Sequence, residues 1–473
     1  MARPTDLRVT GVDLWFLPVT TRMPLKFGAE TLTSVTCARV RVQVTGRDRR
    51  VAEGWGETPL SVQWVWPSPI PYSTRHQGLK NFTAQLARAW AGFTEWGHPL
   101  ELGHDFNQQV LPRLRAAFST PTDSTPENAA GELPCLAALV CNSPFDIALH
   151  DAFGRLHSCP TYQTYTADFL GRDLADFLQP AADKSRTLSF KDRYPADFLR
   201  PQRLDALPAW HLVGGLDPLV PGELKGDEPH DEHPVLLTDW IRRDGLRCLK
   251  IKLRGTDAAW DYARIVAVDE LGFPLGVDAL TADFNCTVRD PAYVCEILDR
   301  LQRDHPGTYE RLVYVEQPFP YELAAHSIPV HAVSARKPLF LDESAHDWEV
   351  IRHGRELGWT GVALKTCKTQ TGALLSACWA QAHGLQLMVQ DLTNPMLAQV
   401  THALLAAHVV TLRGIETNGM QFYPAASLPE ARIHPGLYQR RAGEIRLETV
   451  QGPGFGYREP EIGRDLGPPA FNY

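Results

Sequence analysis

Cys248-Leu249-Lys250-Ile251-Lys252-Leu253 sets the reading of the whole chain. Side chains on a strand alternate between its two faces, so Lys250 and Lys252 point one way while Leu249 and Ile251 point the other. One outward lysine on an apolar run is a solvated edge, but two lysines sharing a face of such a run require partners inside a protein. Each following run is separated from the last by a helical stretch: Leu280-Thr-Ala-Asp-Phe-Asn285, Leu312-Val-Tyr-Val-Glu-Gln317, Leu339-Phe-Leu-Asp-Glu-Ser344, Val362-Ala-Leu-Lys365, Leu385-Gln-Leu-Met-Val-Gln-Asp391 and Thr411-Leu-Arg-Gly-Ile-Glu416. The repeat of roughly 25 to 30 residues is the length of a βα unit, and short apolar runs alternating with helices predict a parallel sheet buried on both faces. With one more short strand near Trp210 to Val213 there are enough to close an α/β, TIM-type (β/α) barrel.

Five successive runs carry a charge at or near their C-terminal ends: Lys250 with Lys252, Asp283, Glu316, Asp342 with Glu343, and Lys365. In a closed barrel all these ends meet at one mouth. A single strand-end carboxylate is usually a helix cap or a solvated loop residue; three in one mouth repel each other unless a cation lies between them. Oxygen ligands suit Mg²⁺, with Mn²⁺ an alternative, better than zinc. Lys365 falls four strands after Lys252, on the opposite wall of an eight-membered ring, so a substrate carbon between them could lose a proton to one and regain it from the other. Crowding by a cation and desolvation are expected to depress these lysines toward service as bases. Lys368 is expected to be a neighbour, and Asp278, in Val277-Asp-Ala, competes with Asp283 for the first ligand position.

The rest of the chain sets limits. A chain of 473 residues has room for two domains. Positions 7–62 alternate apolar and polar residues, as in Cys37-Ala-Arg-Val-Arg-Val-Gln-Val44, with a turn at Gly46-Arg-Asp-Arg49, which predicts an antiparallel meander. Helical spacing over 74–111 and 136–156 completes a small α+β domain. The region 180–240, rich in Pro, Asp and His, reads as inserted loops. A net charge of −8 leaves no basic footprint for nucleic acid or anionic membrane. No apolar stretch has the roughly 18 residues of a membrane span, and Met1-Ala-Arg-Pro-Thr-Asp-Leu7 has no secretory pattern. Nine cysteines without CxxC pairing read as buried free thiols, so a cytoplasmic location is expected.

The ordered motifs Lys250-x-Lys252, Asp283-x-Asn285, Val315-Glu-Gln-Pro318, Asp342-Glu-Ser344 and the lysine at 365 resemble the muconate lactonizing enzyme subgroup of the enolase superfamily (mandelate racemase/muconate lactonizing enzyme family). Gly54-Trp-Gly-Glu-Thr58 and Ser143-Pro-Phe-Asp-Ile-Ala-Leu-His-Asp-Ala-Phe-Gly154 look like that family's capping-domain turn and the helix leading into its barrel. The resemblance implies a modified, enolase-like barrel with an N-terminal capping domain. Residues 1–170 would form the cap, 171–420 the barrel, and 421–473 a segment packing back on the cap. It implies Asp283, Glu316 and Asp342 as ligands of Mg²⁺, Lys252 and Lys365 as acid/base catalysts, and Lys250 beside Lys252 near the substrate carboxylate.

The implied activity is metal-dependent removal of the proton α to a carboxylate through an ene-diolate, giving racemisation, epimerisation or cycloisomerisation, or alternatively β-elimination by a dehydratase. Strand seven ends in Gln390-Asp391 without histidine, which departs from mandelate racemase and favours lysine/lysine chemistry. Strand eight, Gly414-Ile-Glu-Thr-Asn-Gly419, lacks the paired aspartates of the dipeptide epimerases and argues against that substrate class. Candidate substrate contacts are Lys26, Phe27 and Trp55 on capping loops at 23–33 and 55–62, with Asn285, Asp391 and Glu416 at the barrel mouth. A small-molecule carboxylate substrate and a homo-oligomer are expected. A Schiff-base lysine barrel and a non-catalytic binding barrel are the competing readings.

Overall fold

The alternation in the lysine run is realised in a computed structural model, which describes residues 3–27, 30–118, 132–182 and 188–473. Residues 119–131, and 183–187 of the inserted loops expected over 180–240, lie outside the described residues. Eight parallel strands close a barrel in sequence order: β4 (Ala206–Val213), β5 (Cys248–Lys252), β6 (Ala279–Asp283), β7 (Leu312–Glu316), β8 (Leu339–Leu341), β9 (Gly361–Leu364), β10 (Gln386–Gln390) and β11 (Ile415–Glu416), with β11 pairing back to β4. Cys248, Ala279, Tyr314, Phe340 and Met388 point inward and pack with Trp210 as an apolar plug, while Leu249, Ile251, Val315, Leu387 and Val389 point outward into the helix layer. The next inward positions up β5, β7 and β10 are Lys250, Glu316 and Gln390, so the charged layer rests directly on the plug.

The N-terminal meander consists of β1 (Leu7–Phe27), β2 (Glu30–Gly46) and β3 (Val51–Pro59), paired antiparallel around the turn after Gly46. The helix Cys135–Leu156 crosses this sheet at close range. A Cβ at Gly54 would collide with Ala148 O and one at Gly56 with Pro144 O, so the Gly54-Trp-Gly56 motif exists to let helix backbone and strand backbone touch. Near the C-terminus, β12 (Glu444–Arg446) adds antiparallel to β4, and β13 (Phe471–Asn472) adds to β1. Arg39 of β2 is buried between Glu57 (2.5 Å) and Glu430 (3.3 Å), and Arg464 pairs with Glu430, so charged groups tie the last segment to the capping sheet. All nine cysteines are free thiols, five buried and four half-buried. No helix among the described residues is long and apolar enough to cross a membrane.

Candidate active site

β5 and β6 end side by side, with Lys252 in register with Asp283, and β6 and β7 pair Asp283 with Glu316. The side chains converge accordingly. Lys250 Nζ lies 2.5 Å from Glu316 Oε1, 2.9 Å from Glu416 Oε2 and 3.0 Å from Asp283 Oδ2; Lys252 Nζ lies 2.5 Å from Asp283 Oδ2. Across the mouth Lys365, just past β9, is 3.3 Å from Asp342 Oδ2 and donates to the carbonyl of Asp391 at 3.1 Å. All seven of these charged side chains are buried. Asp278 sits at the other end of β6, paired with Arg247 and with Arg413 (2.6 Å). It therefore fastens the strand starts, and Asp283 alone of the two reaches the mouth.

At Lys250 and Lys365 the neighbouring acids favour the charged amine. Burial opposes charge on Lys250, but Asp283, Glu316 and Glu416 outweigh it and hold its pKa well above the usual lysine range. Lys365 is likewise raised, burial being overcome chiefly by Asp342. Lys368 is lowered, because burial dominates there. Among the carboxylates, burial and the neighbouring acids raise Glu316 well above its ordinary value, whereas lysines overcome burial and lower Asp283 and Asp342. Acids within one charged cluster are thus driven in opposite directions.

Among the described residues, no three His, Cys, Asp or Glu side chains are gathered tightly enough to hold a metal ion as they stand. The positive charge between Asp283, Glu316 and Glu416 is supplied by the Lys250 ammonium. The donor set nevertheless fits a hard divalent cation. Three oxygen-bearing acids end adjacent strands, and Asp342 Oδ1 is buried without a hydrogen-bond partner among the described residues.

The expected substrate contacts divide into two groups. Phe27 lines both cavities at the mouth, one of about 40 Å³ reaching Lys252 and Lys365 and a neighbouring chamber of about 500 Å³. Asp391 and Glu416 line the smaller cavity. Asn285 follows β6 with its backbone N–H on Asp283 Oδ1 (2.9 Å) and a left-handed φ of 46°, which turns its amide toward Glu343. Lys26 instead lies beside Gly215 in the loop after β4, its carbonyl accepting the Gly215 N–H. Trp55 stacks on Trp15 in the capping sheet, 5.7 Å between ring centroids, with its N–H backbone on Asp151, and it lines neither cavity.

The roof is Trp64. It sits on the short helix Val62–Val65, donates Nε1 to Glu343 Oε1 at 3.0 Å, and lies over Lys365 and Lys368 at 5.5 and 5.7 Å. Gln390 is a second residue the sequence reading left unassigned. Its Oε1 is 3.3 Å from both Lys250 and Lys365, and its Nε2 donates to Glu316 Oε2 and to Tyr314 Oη. Its inward parity, two residues beyond Met388, was the available signal. A larger cavity of about 720 Å³ near the start of β4 has one acidic lining residue, Asp205, and no lysine, so the chemistry does not reside there.

A closed eight-stranded barrel with buried lysines and carboxylates at its C-terminal mouth, roofed by an N-terminal antiparallel domain, defines the class of protein. Residues 235–460 match the family described as "Enolase C-terminal domain-like". An aromatic dipeptide epimerase of Herpetosiphon aurantiacus is 26% identical over 252 residues, 52% of this chain and 66% of the relative, so the match spans slightly under two thirds of that protein. A muconate lactonizing enzyme of Pseudomonas fluorescens complexed with muconolactone superposes with TM-score 0.58 at 16% identity, over 95% of this chain and 96% of its own. A dipeptide epimerase of Enterococcus faecalis complexed with Mg and L-Leu-L-Tyr superposes with TM-score 0.58 at 16% identity, over 95% and 99%. At these identities the two structures share the fold with this chain.

Proposed function

We propose that the chain is an enzyme that removes the proton α to a substrate carboxylate with the aid of Mg²⁺, or Mn²⁺, and completes a racemisation, epimerisation or cycloisomerisation. The observation that carries this reading is the placement of Lys252 and Lys365 on opposite walls of one buried mouth, each against an acid that ends a strand. Asp283, Glu316 and Asp342 would hold the cation. When bound, it supplies positive charge where the deprotonated carboxylate gathers negative charge, and neutralises the acids that otherwise keep the lysines protonated.

The chain's own groups do the rest. A carbon lying between the two Nζ atoms gives its proton to one lysine and takes a proton from the other on the opposite face, which inverts its configuration. Gln390 and the Asp391 carbonyl fix Lys365, and Asp283 fixes Lys252, so the two amines are oriented before substrate arrives. Leu25, Phe27, Leu32 and Trp64 from the cap line the cavity and exclude water, which strengthens every charge interaction inside it.

The relatives' names and the bound dipeptide of one neighbour support epimerisation among the outcomes. The end of β11 speaks against a dipeptide: Glu416 places Oε2 on Lys250 and Oε1 on Asn418, so it offers no free carboxylate. A Schiff-base mechanism is disfavoured because both candidate lysines are engaged by carboxylates. The test is deuterium uptake from D₂O at the α-carbon, read by mass spectrometry across a library of carboxylic acids, amino-acid derivatives and dipeptides. Metal-dependent uptake into some member is expected; no uptake into any, with metal demonstrably bound, overturns the proposal.

A further inference from the structure

The chamber of about 500 Å³ beside the mouth is walled by Gln63 and Trp64 from the cap and by Asn285, Arg289, Tyr321 and Glu343 from the loops after β6, β7 and β8. Its polar groups are arranged one-sidedly. Gln63, 9% exposed, donates Nε2 to Thr31 O at 3.3 Å, which leaves its Oε1 facing away as an acceptor. Asn285 donates Nδ2 toward Glu343 Oε1 at 3.4 Å, and Trp64 Nε1 donates to the same oxygen at 3.0 Å. What remains is Gln63 Oε1, Asn285 Oδ1 and Glu343 Oε2, all buried and without a hydrogen-bond partner among the described residues. Among the described residues no fully buried donor atom of the lining is unpartnered, and the accessible donors there include those of Arg289 and Tyr321.

Buried acceptors left unpaired are costly, and native proteins leave few of them. Three in one chamber match a ligand that brings donors. Charge points the same way: Glu30, Glu322 and Glu343 line the chamber against one arginine, Arg289, and the histidine His326. An ammonium presents three N–H groups and an amide one. Phe27 and Trp64 line both this chamber and the smaller cavity at Lys252 and Lys365, so one molecule can occupy the two together.

We propose that this chamber receives the end of the substrate remote from its carboxylate, and that this end presents nitrogen donors, a protonated amine or an amide N–H, to Gln63, Asn285 and Glu343. The inference rests on the proposed reaction only in placing the carboxylate beside the lysines. It puts recognition of a substrate amine in the loops after β6 and β8 and in the cap, rather than at the end of β11, where Glu416 is already taken.

The test is calorimetric titration of the full chain with Mg²⁺ present, using straight-chain ω-amino carboxylates of graded length, their N-acetyl derivatives, and the alkanoates in which a methyl replaces the ammonium. At the fitting length the amino or N-acetyl compound should bind roughly tenfold or more tighter than the alkanoate. Gln63→Leu should cut that preference severalfold, and Gln63→Glu should raise it for the ammonium compounds over the N-acetyl ones, with thermal melts showing that each variant is folded. Alkanoates that bind as well as the donors at every length, a preference that both variants leave unchanged, or no binding by any probe would overturn the inference. Deuterium uptake, measured separately, keeps the two proposals apart. Uptake without donor preference removes this inference alone, and donor preference without uptake removes the reaction alone.

Discussion

Lys250 and Glu316 lie 2.5 Å apart, Nζ to Oε1, with both side chains buried on top of the barrel plug. Glu316 is pushed up by burial and by the acids around it, so its charge depends on that ammonium. Replacing Lys250 with methionine keeps the stem and removes the charge. The variant should lose about 3–5 kcal/mol in the absence of metal, as expected when one partner of a buried pair is deleted. Saturating Mg²⁺ should restore much of this. Urea denaturation with and without Mg²⁺ measures both quantities.

Asp283 and Asp278 stand at opposite ends of one strand and should behave as opposites. Asp283→Asn is expected to weaken Mg²⁺ binding by at least about tenfold. Asp278→Asn should leave binding unchanged and cost about 1 kcal/mol or less, since its pairs with Arg247 and Arg413 are partly exposed. Calorimetric titration of the two variants with Mg²⁺ decides the assignment.

Trp64 combines a hydrogen bond and a lid. Trp64→Phe keeps a ring over Lys365 but removes the donor to Glu343 Oε1, so KM should rise while kcat changes little. Trp64→Ala also opens the roof and should lower kcat by roughly tenfold or more, the scale on which water exclusion and positioning act. Steady-state kinetics on any substrate found by deuterium uptake separates the two variants.

His150 joins the capping helix to the barrel, with Nε2 3.0 Å from Thr371 Oγ1 and Nδ1 3.0 Å from Tyr165 Oη. Burial lowers its pKa from 6.5 to about 3. The unfolded chain therefore binds a proton that the folded one refuses, and the histidine's contribution, full above pH 6.5, is lost as pH falls toward 3. Asp146, 3.9 Å away and pushed up to about 6 by burial, is the acid facing it. The stability advantage of wild type over His150→Gln should shrink by about 1.4 kcal/mol per pH unit below 6.5. Denaturation midpoints at several pH values check the slope.

Much of this site was legible in the sequence because it follows strand parity. Lys250, Lys252, Glu316 and Gln390 fall at inward positions of their strands, and closure of a parallel barrel brings strand ends together whatever their separation in the chain. β11 was harder: only Ile415 and Glu416 pair, although six residues read as a run. Trp64 was missed because its place depends on where the chain re-enters after β3, and Trp55, the chosen alternative, alternates into the capping sheet. The expected depression of the lysines weighed a neighbouring cation together with desolvation; at Lys250 three buried acids within 3.0 Å of the ammonium outweigh the desolvation.

The central claim is that acids from three consecutive strands share one divalent ion between two lysine-bearing walls. Anomalous scattering from crystals grown with Mn²⁺ tests it most directly. A single peak should appear within coordination distance, about 2.1 Å for an ion of this kind, of Asp283, Glu316 and Asp342 together. No peak at the mouth, or a peak that leaves Glu316 or Asp342 without contact, would contradict it.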